Sequence, residues 1–139
     1  MTPKKLRPKA VRGQTFEMPA PCGRLYVTFN NDPDTGKLME IFVRFGKSGT
    51  CASVVANCTT MAVSKGLRSG LDPLDALKCF VGHSCHRPPA FDNGTMILSC
   101  MDAIGKALRE HMGLEDEIED KPIGGDDDYQ EAQLVRYAG

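Results

Sequence analysis

What the sequence lacks narrows the reading first. No apolar run reaches the ~18–20 residues that a bilayer-crossing helix needs, so no membrane partner is expected. The basic start leads into no apolar stretch, so a secretory signal is not expected either, and a cytoplasmic protein is. There is no Cys-x-x-Cys pair, which excludes the ordinary zinc-finger spacing. Ahead of "GKSGT" (46–50) the glycine that a Walker A loop requires is missing, and Ile41 stands in its place. No Ser/His/Asp set or catalytic carboxylate pair can be picked out. Lys47, Asp102 and His111 are each chemically capable, but nothing sets them apart. Internal repeats are absent.

What is present fits one domain: 139 residues, 41% apolar and 25% charged, enough for a packed core. The net charge of −1 hides two charged ends. Residues 1–12 carry Lys4, Lys5, Arg7, Lys9 and Arg12 and no acid, while residues 113–139 are acidic, with Lys121 and Arg136 as their bases. Residues 1–20, interrupted by Pro3, Pro8 and Pro19, read as an extended basic arm, a weak candidate for nucleic-acid contact. Residues 113–139 read as a mobile acidic tail, in which "EAQLVRYA" (131–138) could form a short docking helix.

Between the ends lies the folded part, residues 21–112. "GRLYVTFN" (23–30) sets Leu25, Val27 and Phe29 against Tyr26, Thr28 and Asn30, the period of a half-buried strand. "LMEIFVRF" (38–45) is a second strand with Met39, Ile41, Val43 and Phe45 on one face, and the turn residues "NDPDTGK" join the two as a hairpin. From Thr50 the period changes. Cys51, Val54, Val55, Cys58, Met61, Ala62 and Lys65 fall at helical spacing and predict a helix over 50–69. Asp72 and Pro73 open a short helix, 73–80, and Ser99 caps a last one, 100–112, with Ile104, Ala107, Leu108 and Met112 as its apolar side. Residues 82–94 read as loop. The expectation is a small α+β domain, an antiparallel hairpin packed on two or three helices. A lone hairpin is marginal in water, so its inner face must be covered by the 50–69 helix or by a second copy in a homodimer.

Six cysteines remain to be explained. Without an export signal, clustered thiols more often bind metal or react than form bridges, although free cysteine is also commonly buried. Cys51 and Cys100 each open a helix, where roughly half a positive charge favours the thiolate and lowers the pKa. Cys22 precedes the first strand and Cys85 lies in the loop before the last helix. All four sit at element ends, where side chains converge. Cys58 and Cys79 fall inside helical patterns and suit the core. His83 and His86 flank Cys85 as reserve ligands or plain loop histidines. Lys47, Ser48, Gly49 and Thr50 lie before a helix N-terminus, where backbone amides can bind an anion or phosphate, or simply turn the chain into a capped helix. Three readings stay open: a four-cysteine metal site, a thiol-redox protein using Cys100 or Cys51, and a binder of nucleotides or other small phosphorylated ligands.

"CGRLYVTFN", "EIFVRFGKSGTCAS", "GLRSGLDPLDALKCFVGHSC" and "LSCMDAIGKAL", in that order, resemble the TSCPD domain, over about Leu6 to Met112. That domain forms the C-terminal region of adenosylcobalamin-dependent (class II) ribonucleotide reductases and also occurs as small standalone proteins. The namesake motif appears as Leu98-Ser99-Cys100-Met101-Asp102, with the threonine and proline lost. The resemblance implies a shared site of Cys22, Cys51, Cys85 and Cys100, with zinc as the default metal and an iron–sulfur cluster as the alternative. It implies a non-catalytic module, metal-stapled and serving interaction or nucleotide binding, whose partner is a ribonucleotide reductase. These residues hold no catalytic barrel, no cobalamin site and no closely spaced relay cysteines, so the module is not expected to reduce anything by itself.

Overall fold

The computed structural model describes residues 3–46 and 50–114 and has the expected α+β architecture. Strands β1 (Arg12–Met18), β2 (Leu25–Asn31) and β3 (Leu38–Phe45) form an antiparallel sheet in that order. Helices α1 (Cys51–Arg68) and α2 (Pro73–Phe80) follow, then a small hairpin of β4 (Ala90–Asp92) and β5 (Thr95–Ile97), then helix α3 (Cys100–Met112). No helix among the described residues is long and apolar enough to cross a membrane.

The β2–β3 hairpin forms where the alternation places it. Leu25, Val27 and Phe29 are fully buried and stand opposite Phe45, Val43 and Ile41. In the connecting turn the Asp32 carboxylate accepts from the Asp34 N–H at 2.9 Å, and Gly36 takes the positive φ (73°) that closes it. Helix α3 covers the inner face with Ile104, Ala107 and Leu108, joined by Leu77 and Phe80 of α2 and Ile97 of β5. Each such aliphatic or aromatic side chain contributes about 1.5–3 kcal/mol on burial. The hairpin is therefore covered within one chain, and the argument for a second copy on that face falls away.

Part of the expected arm is structure. Residues 12–18 form β1, pairing with β2 along its length. A Cβ on Gly13 would lie 2.0 Å from the Phe29 carbonyl oxygen, so only glycine fits there. Ahead of β1, Lys5 contacts Asp32 at 2.6 Å, and the Arg7 guanidinium grips the buried Glu40 carboxylate with two nitrogens at 3.0 Å each. Two charges that a nucleic-acid contact would use are thus engaged with the domain's own acids. The segment expected to be loop also contains structure: Asn93 and Gly94, both at positive φ, turn β4 into β5. Residues 115–139, including the expected docking helix 131–138, lie outside the described residues.

The largest departure concerns α1. Its buried residues are Ser53, Ala56, Thr60, Ser64 and Leu67, whereas Val54, Val55 and Met61 are 55%, 56% and 57% exposed. The apolar stripe read from the sequence faces water. The cause is the neighbour: α1 packs on β3, the last strand of the sheet. Ser64 Oγ accepts the Ile41 N–H at 2.9 Å and lies 3.1 Å from the Ile41 carbonyl. A strand edge calls for small, hydroxyl-bearing side chains that approach closely and satisfy its free backbone groups. With α3 already on the hydrophobic face, that edge is what α1 covers. Cys58 and Cys79, expected in the core, are exposed.

Candidate functional site

The start of α3 organises the surroundings of Cys100. Ser99 Oγ accepts the Asp102 N–H at 3.0 Å, the expected cap. Asp102 is fully buried, and its carboxylate accepts from the Gly82 N–H at 2.9 Å, the Leu98 N–H at 2.8 Å and the Lys106 ammonium at 2.7 Å. Lys106 also donates to the Met96 carbonyl. Gly82 opens the segment that carries Cys85, Leu98 ends the approach to Cys100, and the Cys85 N–H donates to the Leu98 carbonyl at 3.2 Å. One carboxylate thus pins the Cys85 loop beside Cys100.

Two of the other expected cysteines, Cys22 and Cys85, act on Cys100. Burial foremost, then the Cys22 side chain as hydrogen-bond partner and neighbouring charge, and Cys85, together push the Cys100 thiol up to about 12 against the opposing Cys22 N–H. The sequence pointed the other way, to a thiol acidified by its helix. Burial wins because moving a thiolate out of water costs more than half a helix-end charge returns, and adjacent thiolates repel. Cys100 is therefore neutral at neutral pH and is not a low-pKa nucleophile.

Two of the cysteines flank one end of the sheet in the chain. Cys22 precedes β2, Cys51 follows β3, and Leu25 pairs with Phe45 at that end. Cys51 is exposed and is not among the groups acting on Cys100. Among the described residues, no three His, Cys, Asp or Glu side chains are drawn together as closely as a metal ion requires. His83 Nε2 lies 2.8 Å from the Cys79 carbonyl oxygen at the end of α2, and His86 is exposed in the loop. Of the expected anion site, Lys47, Ser48 and Gly49 lie outside the described residues. The Thr50 hydroxyl caps α1 by accepting the Ser53 N–H at 3.1 Å.

A feature missed in the sequence sits at the opposite end of the sheet. A cleft of about 680 Å³ lies between the β2–β3 turn and the ends of α1 and α3, with Lys5, Asp32, Lys37, Arg68 and His111 in its walls. The Arg68 Nε there is buried and has no hydrogen-bond partner among the described residues. His111 stacks on Phe29 at 5.2 Å, its ring nitrogens face Gln14 (2.6 Å) and Asn31 (3.0 Å), and burial pushes its pKa down. These walls come from segments far apart in the chain, so no local pattern announces the cleft.

The family model of the TSCPD domain matches residues 1–112, a span that contains every described element. No curated protein and no solved structure matches. TSCPD domains are associated with ribonucleotide-reductase-related proteins. With four-fifths of its length inside that match and the Ser-Cys-x-Asp core of the motif at the start of α3, the chain belongs to the TSCPD domain family.

Proposed function

We propose that this domain is a metal-stapled, non-catalytic module that works beside a ribonucleotide reductase. The observation that supports it is that Cys22 and Cys85 both lie near enough to act on the Cys100 thiol, Cys22 as its hydrogen-bond partner, while the Asp102 carboxylate pins the Cys85 loop beside Cys100. A buried thiol held neutral beside two others is an arrangement that a bound cation would change, because a metal takes thiolates and releases their protons. Cys22, Cys85 and Cys100 would have to close further to hold a zinc ion, since no three such side chains among the described residues stand as near one another as a metal requires, and Cys51, at the start of the helix that follows β3, is the fourth ligand in this reading. The chemistry supplied by the ion is cross-linking: it ties the turn before β2, the Cys85 loop and the first turns of α1 and α3 into one unit.

Metal analysis with thiol titration on one sample, purified without added metal, tests this. About one equivalent of zinc is expected, with fewer titratable thiols before chelation than after it. Cys22→Ser and Cys100→Ser should lose the metal, while Cys58→Ser and Cys79→Ser should keep it. Folded, metal-free protein with every thiol titratable would sink the proposal, and one fast-alkylating cysteine in that protein would replace it with thiol chemistry.

A further inference from the structure

The outward face of α1 is unlike the exposed face of an ordinary surface helix. Residues 51–64 contain no charged side chain. Val54, Val55, Cys58, Met61 and Ala62 are all exposed and recur every three or four residues along one stripe. That spacing is the seam along which one helix packs on another at a shallow crossing angle. The inward face is already occupied at the β3 edge, so the stripe is not a misplaced core.

We propose that this stripe is a self-association surface, through which two copies of the domain pair α1 to α1, antiparallel about Cys58. The occupant follows from charge and shape. A two-fold interface sets a surface against itself, so any charge on it meets its own sign. This stripe carries none until Lys65, at its C-terminal end. Antiparallel pairing centred on Cys58 puts the two Lys65 side chains about 21 Å apart along the axis, beyond the ~8 Å over which salt screens charge. A parallel pair would set them together. Cys58 and Ala62 are small enough to let the helices approach. A charge-recognising partner would find nothing here to read.

The area sets the strength. A seam about 20 Å long between helices ~8–10 Å apart covers a few hundred Å² on each copy, less than the ~800 Å² per partner of a standard interface. The dimer is therefore weak and reversible.

Sedimentation of the full chain under reducing conditions, from about 10 μM to about 1 mM, reads the association, since micromolar dissociation constants fall in that range. The wild type should move from monomer to dimer across the series. Val54→Asp and Met61→Asp should each remain monomeric at the top concentration, with the melting temperature of the dilute protein unchanged. Mild oxidation of the concentrated wild type should give a covalent dimer that Cys58→Ala abolishes. A wild type monomeric throughout, or a dimer that survives both aspartates, overturns the proposal. So does a covalent dimer that persists without Cys58. A lower melting temperature in the dilute aspartate variants also overturns it, because the stripe would then be covered by the chain's own residues.

Discussion

Asp102 sits in the first turn of α3, fully buried, with three donors on its carboxylate. Asp102→Asn removes the carboxylate charge that Lys106 and two backbone N–H groups bind, and breaking such a buried pair costs about 3–5 kcal/mol. Urea denaturation of the variant should show a loss of that size. His111 gives a second expectation at this scale. Its pKa is lowered by burial in the folded domain, so the unfolded chain takes up the proton first as the pH falls. The stability present above the ordinary value of about 6.5 should therefore drain away as the pH drops from there through the lowered folded value, and level off below it. Melting curves between neutral and acid pH should fall less steeply for His111→Gln than for the wild type.

Helix α1 shows what an element's sequence can and cannot reveal. Its limits were legible, as were those of α2 and α3, because caps are local: Thr50, Asp72 with Pro73, and Ser99 each bond within their own first turn. The inward side of α1 was not legible. Periodicity finds an apolar stripe, but the side that packs depends on what the sheet still needs, and α3 had left only an edge. Ser64→Ala removes the hydroxyl that serves Ile41 and should cost about 1–3 kcal/mol, the price of an unsatisfied buried group. Thermal melts should place it below Met61→Asp in stability, the reverse of what hydropathy ranks. Strand β1 was hidden for a related reason: in "RGQTFEM" the burial pattern turns inward only at Phe16 and Met18, and the pairing is supplied by β2. The cysteines were legible as positions at element ends. The direction of the Cys100 shift was not, since it depends on the burial that packing imposes.

Across the whole molecule, the two ends of the sheet differ. Cys22, with Cys85 and Cys100 beside it, lies at one, and the cleft with His111 opens at the other. Helix α3 runs between them, from Cys100 to Met112, touching β1, β2, α1, α2 and β5 on the way. If the proposed ion is bound at the cysteine end, withdrawing it should therefore not release one loop. Chelation should lower a single cooperative melting transition, read identically by backbone and aromatic signals. The placement of α1 along β3 has a different consequence. Sheets with two bare flanks can add neighbour upon neighbour and run on into fibrils. Here Ser64 and its helix bar one flank. Two molecules meeting through β1 would leave a barred flank on either outer side, so strand-to-strand growth of this fold would terminate at a pair.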